Sequence, residues 1–240
     1  ALTGPFKWLF VKAGFDRFDP FYTFDDIMDA SEKYNITSTF NFIPISGQVR
    51  IDGNYDINAA KVRNLILKIH QRGHSIGLHP SFNSYLSFEQ LYYELGRLKS
   101  LMLDLGIQKE AWSSRQHFLR FNPLLTPTIL DSVGVNCDSS IGYADQIGFR
   151  AGTCWRYQMY DLRNDMPLKI IQEPLIVMDV TLMNKSYMNL SLNKSTLSLV
   201  DSYRKACYDV GGVFSLLWHN NQLDSKAKRE FYFKLLEKIA

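Results

Sequence analysis

Gly73-His74-Ser75-Ile76-Gly77-Leu78-His79-Pro80-Ser81-Phe82-Asn83 holds two of the chain's five histidines and decides how the rest is read. A predicted helix, Ala59 to Arg72, precedes it. Val62, Leu65, Ile66 and Ile69 share one face of that helix, and Gly73 ends it. The middle of the stretch, His74–Leu78, reads as a strand, so His79 stands where a strand gives way to a loop. An α/β fold presents side chains from such strand ends into a shared crevice. Beyond the stretch, Ser87 reads as an N-cap with Gln90 in the capping-box position. Leu91, Leu95, Leu98, Met102 and Leu105 form the apolar stripe of the helix that follows, and Gly106 closes it.

The same alternation extends in both directions. Residues 1–22 read as a short apolar segment and a turn-rich loop, Gly14 to Pro20. Thr23 is the expected N-cap of a helix running to Tyr34, with Asp26 completing a capping-box variant. Thr37–Ile43 is β-branched and aromatic, hence a strand. Residues 44–58 read as a polar loop with Pro44, Gly47 and Gly53. Trp112–His117, Val135–Asp138, Lys169–Ile171 and Leu175–Val180 are further predicted strands. Pro127–Val133 and Ser195–Asp209 are predicted helices. Gly211-Gly212 turn the chain into Val213–Trp218, apolar on both faces as a central parallel strand should be, and a last helix spans Ser225–Ile239. Helix and strand alternation with right-handed crossovers implies a parallel sheet, open or closed into a barrel. No strand leads into a Gly-rich phosphate loop, which disfavours a dinucleotide fold.

A chain of 240 residues with 46% apolar and 21% charged residues suits one globular domain. The net charge of +3, without a dense basic run, gives no case for nucleic acid. No apolar run is long enough to span a membrane. Cys137, Cys154 and Cys207 are odd in number and widely spaced, so neither a disulfide framework nor a zinc knuckle follows. A reducing, cytoplasmic setting is the default expectation. Aromatics are plentiful, and some are expected to line a cleft, where they suit sugar rings.

His79, Arg115, His117, Asp138, Asp179 and His219 all fall at predicted strand ends, which a parallel barrel opens on one face. Two histidines with carboxylates can hold a divalent metal, and another histidine can serve as a general acid. His74, at the start of its strand, and His70, on a helix face, read as structural and surface residues.

With these residues in place, the chain resembles the polysaccharide deacetylases, carbohydrate esterase family four. Gly73–Asn83 is similar to that family's second motif, Ser113-Ser114-Arg115-Gln116-His117-Phe118-Leu119-Arg120 occupies the place of the third, Cys137–Tyr143 that of the fourth, and Leu216–Asn220 that of the fifth. The resemblance covers most of residues 20–240. It implies an irregular (β/α) barrel of about seven parallel strands and a metal-dependent hydrolase, with zinc the expected ion, that removes N-acetyl groups from sugars. Surface polysaccharide synthesis is the setting the family suggests. His79 would be a metal ligand, His219 the general acid, and Arg115 the residue orienting the base. Asp138 is the acidic candidate of the fourth motif. Asp179 and Arg150 are expected in the substrate pocket by position.

Two departures shape the expectations. The family's second histidine ligand falls on Asn83, a poorer zinc ligand than imidazole. Arg115 and His117 would share a face in a strand, so His117 is the expected replacement. The family's first motif, an aspartate pair, is imitated by Thr23-Phe24-Asp25-Asp26, but these letters run straight into a helix and read as its acidic N-terminus. The true pair is expected upstream of Ala1. The rival reading is a degenerate relative that binds glycan without hydrolysing it.

Overall fold

The computed structural model describes residues 19, 21–45 and 50–240. Most of the apolar segment and loop expected over 1–22, and Gly47, lie outside these residues. Helix α1 (Phe24–Lys33) buries Ile27, Met28 and Ala30. Asp25 pairs with Lys68 and Arg72, and Asp26 with Arg229. The two aspartates are thus helix residues engaged in ion pairs. Thr23 does not cap this helix as expected. Its hydroxyl donates instead to the Asn220 carbonyl at 2.7 Å, far along the chain.

Strand β1 (Thr39–Phe42), α2 (Ala60–Gln71) and β2 (Ser75–Leu78) form a parallel crossover unit, with Phe42 opposite Leu78. Gly73 ends α2 at φ +77°, a conformation that costs glycine nothing. Helix α3 (Phe88–Asp104) is capped by Ser87, whose hydroxyl accepts the Gln90 N–H at 3.2 Å. Then come β3 (Ser113–Ser114), α4 (Thr126–Val133) and β4 (Cys137–Asp138). A hairpin of β5 (Tyr157–Asp161) and β6 (Met166–Gln172) follows, of which only the second arm was anticipated. Strand β7 (Val177–Met178), α5 (Asp179–Met183), α6 (Lys194–Asp209), β8 (Leu216–Leu217) and α7 (Lys226–Ile239) complete the described chain.

The architecture is α/β with a mostly parallel sheet. One sheet has the order β1-β2-β3-β4-β6-β5, and β7 pairs with β8. Every ladder is parallel except β5–β6. Among the described residues no ladder joins the two sheets, so the closed seven-stranded barrel is not seen. Between them, the Leu175 N–H, two residues before β7, donates to the carbonyl of Ile141, three residues after β4, at 2.9 Å. Along β2, Ser75 and His79 line an internal cleft, while Ile76 and Leu78 face away into the main core with Leu65, Ile66, Leu91 and Leu95. A second core gathers Ile176, Val177, Val200 and Leu235 under α6 and α7.

Two predicted strands are shorter than expected. In Val213–Trp218 only Leu216–Leu217 joins a ladder, because the Val213 N–H is taken by the Cys154 carbonyl. Trp112–His117 yields only Ser113–Ser114, because the chain curls into a 3₁₀ turn, His117–Leu119, with Phe118 and Leu119 at φ +58° and +52°. No described helix is long and apolar enough to cross a membrane.

Candidate active site

A cleft of about 1690 Å³ is lined by Asn41, Tyr55, His79, Arg115, His117, Phe118, Ser139, Glu173, Trp218 and His219, among others. Gly77, in β2, leaves room for Asn41 and Ser113, which line the cleft. A Cβ there would lie 2.1 Å from Asn41 Oδ1 and 2.8 Å from Ser113 Oγ.

The three cleft histidines are held alike. His79 Nδ1 lies 2.5 Å from the Arg115 carbonyl oxygen. A carbonyl only accepts, so Nδ1 donates and the neutral ring keeps its lone pair on Nε2. Burial, with His117 beside it, pushes His79 down to about 3, so the ring is neutral at neutral pH. His117 Nδ1 lies 2.8 Å from the buried Asp52 carboxylate. The His79 and His117 rings are 4.9 Å apart, centroid to centroid. His219 Nδ1 lies 2.7 Å from Asp179 Oδ1, and the His219 backbone N–H donates to Oδ2 at 2.6 Å. Asp179 is fully buried at the start of α5, whereas the His219 side chain is 39% exposed to the cleft.

The other expected site residues stand differently. Arg115 and His117 both reach the cleft, as residues two apart in extended chain should: their N–H groups donate to the Leu78 and Pro80 carbonyls, and Gln116 between them is extended. Arg115 Nε donates to the Ser139 carbonyl at 3.2 Å. Burial lowers its pKa from the ordinary value, against the pull of the Asp138, Glu173 and Asp179 carboxylates. Asp138 sits between Cys137 and Ser139, both of which line the cleft, and does not line it itself. It is fully buried, accepting from Ser114 Oγ at 2.7 Å and from Ser140 N and Oγ, each at 2.8 Å. Burial raises its pKa. Asn83 is exposed and its side-chain oxygen accepts from Arg120 at 3.1 Å. Arg150 is exposed and donates to the Gly142 carbonyl at 3.0 Å. Neither lines the cleft.

Sequence reasoning passed over Asp52, which sits in a loop without periodicity and meets His117 across 65 residues. It also passed over Asp19 and Glu173, the carboxylates that line the cleft among the described residues. Glu173 is paired with Arg156. Cys137 lines the cleft too, but burial pushes its thiol up to about 11, so it is protonated and a poor ligand or nucleophile at neutral pH.

The residues of the site fit a metal in part. His79 and His117 each tie Nδ1 to an oxygen and leave Nε2 free, the usual support of a metal-bound imidazole. Two such nitrogens on one zinc stand about 4 Å apart at most, which rings 4.9 Å apart can meet. Among the described residues, however, no group of three or more His, Cys, Asp or Glu is disposed to hold a metal. The described chain fits half of a tetrahedral set.

No family model matches the sequence, and no curated protein matches it. Solved structures do. A protein described as a polysaccharide deacetylase from Mycobacterium smegmatis superposes with a TM-score of 0.65 over 92% of this chain and 71% of its own, at 16% identity. The fold is that of the polysaccharide deacetylases. A second protein so described, from Pseudomonas aeruginosa PAO1, gives a TM-score of 0.61 over 94% of this chain and 70% of its own, at 12% identity. The PuuE allantoinase gives 0.60 over 88% and 64%, at 14% identity. In this chain's version of the deacetylase fold, the cleft holds one end of β2, the turn after β3 and the end of β8. These are the places where His79, His117 and His219 stand.

Proposed function

We propose that the protein is a metal-dependent hydrolase that removes N-acetyl groups from sugars of a polysaccharide or glycan precursor. The observation that carries this reading is the set of three cleft histidines, each with Nδ1 anchored on an oxygen and Nε2 free. The likeness in fold to polysaccharide deacetylases supports it. His79 and His117 would hold the cation, and a cation there supplies the Lewis acidity that polarises an acetyl carbonyl and activates a water. Asn83 takes no part, because its oxygen is given to Arg120. The water's proton falls to a carboxylate, for which Asp19 and Glu173 are the cleft-lining candidates.

His219 is the general acid. Asp179 fixes its ring with Nδ1–H inward, so the doubly protonated ring would carry its second proton on Nε2, deliver it to the departing amine nitrogen and be left as the neutral Nδ1–H form. Asp179 therefore acts through His219 and does not touch the sugar, and Asp138 braces the Arg115 turn from behind. Trp218, Tyr55 and Phe118 give the cleft the aromatic surface that sugar rings favour.

The test is acetate release from N-acetylated oligosaccharides by the zinc-loaded protein. His219→Gln is expected to lower turnover by about 10²–10⁴-fold with bound zinc unchanged. Equal loss of both would make His219 a ligand. Glycan binding without acetate release, with zinc bound, would favour the non-hydrolytic reading and sink this one.

A further inference from the structure

We infer that Asp52 is a positioning residue that locks the His117 ring with Nδ1–H turned inward, leaving Nε2 for the cation; the inference rests on the metal reading of this cleft. Asp52 closes the 3₁₀ turn Arg50–Asp52 and is 1% exposed. Its Oδ1 accepts the Phe82 N–H at 2.7 Å and faces His117 Nδ1 at 2.8 Å. An ionised carboxylate has no proton to give, so His117 must donate from Nδ1. A neutral ring held this way can coordinate only through Nε2.

The other carboxylate oxygen makes the case stronger. Oδ2 of Asp52 is buried and has no hydrogen-bond partner among the described residues. A buried carboxylate with an idle oxygen is costly unless positive charge lies close by. A cation on His117 Nε2, one ring away, supplies that charge. Asp52 also ties together the two segments that carry the imidazoles, because Phe82 follows His79 by three residues and Phe118 follows His117 directly. The competing account is that Asp52 merely staples Phe82 and has no hold on the ring.

The experiment compares wild type, Asp52→Ala and Asp52→Asn in the 240-residue chain. Ring nitrogen-15 spectra give the His117 tautomer, and competition with a chromophoric chelator gives zinc affinity. Wild type is expected to show Nδ1–H at His117. Asp52→Ala should shift the ring toward Nε2–H and weaken zinc by about 10–100-fold. Asp52→Asn, whose oxygen still accepts from Nδ1–H, should keep the tautomer and lose less affinity. Unchanged tautomer and affinity in Asp52→Ala, with only the melting temperature lowered, would leave Asp52 as a loop staple. Should Asp52→Ala not fold, the wild-type spectrum still decides, since an Nε2–H tautomer there overturns the inference. A wild type that takes up no zinc counts against the metal reading itself, while the tautomer shift separately upholds or overturns the hold of Asp52 on His117.

Discussion

Phe118 carries an aromatic side chain on a backbone that favours glycine. At φ +58° and 60% exposed, it stands edge-on to Phe82 and against His117 at the cleft wall. Such a conformation costs roughly 1 kcal/mol or more, and residues of this kind gather at functional sites. Phe118→Gly should therefore leave stability unchanged or raise it by about 1 kcal/mol. It should also weaken binding of an acetylated oligosaccharide by roughly fivefold, the worth of one aromatic contact. Chemical denaturation and glycan titration check the two halves, and unchanged glycan affinity would remove Phe118 from the substrate wall. Asp179→Asn makes a second residue-scale test. It keeps the shape but loosens the clasp on His219, so turnover should fall by about 10²–10⁴-fold with zinc content intact. His79, His117 and His219 were legible in the sequence because motif spacing marks them. Asp52 and the role of Asp179 were not, since both act through partners 65 and 40 residues distant.

Among the elements, α3 was read almost to the residue, because its cap, its apolar stripe and its terminal glycine all agree. Ser87→Ala should cost about 1 kcal/mol, read as a lowered denaturation midpoint with no effect on the cleft. The strands were legible in place but not in length. Their ends are set by where backbone groups find partners outside the ladder, which periodicity does not encode. The β5–β6 hairpin was missed in part because its turn carries no Asn-Gly pair. Asp161 holds that turn instead, accepting from the N–H groups of Arg163 and Asn164. Gly77 in β2 is the element-scale position least able to change. Its missing side chain is where Asn41 and Ser113 already reach, so Gly77→Ala should cost on the order of 1–3 kcal/mol and narrow the cleft.

At the scale of the whole molecule, buried carboxyls shape the pH dependence. Glu94 is fully buried on α3 and gathers Ser81, Ser84 and Gln90 around it, bracing the loop after His79. Burial raises its pKa, as it does that of Asp138. A carboxyl raised in the folded state holds its proton there after the unfolded chain has lost it. Such a group makes stability fall as pH climbs from about 4.3 through the folded value, and adds no further slope above it. The stability of wild type relative to Glu94→Gln, followed by denaturation from pH 4 to pH 7, should therefore decline with rising pH. A flat difference would show that Glu94 is not raised. The sequence revealed the α/β class and the order of most elements. It could not reveal which ladders form among the described residues, because that depends on pairing between distant segments.

The bond from Thr23 to the Asn220 carbonyl spans 197 residues, and the Asn220 side-chain amide returns to the Phe21 carbonyl at 2.9 Å. Asn220 directly follows His219. His219, the proposed general acid, is thus mounted on a long-range seam, and such contacts form late because loop closure must come first. During refolding, His79 and His117, the proposed cation ligands at the end of β2 and in the turn after β3, should be in place before His219 is. Warming or mild denaturant should undo the seam first. On the proposed function, the protein would then pass through a state that still binds zinc and still looks folded, yet no longer turns over.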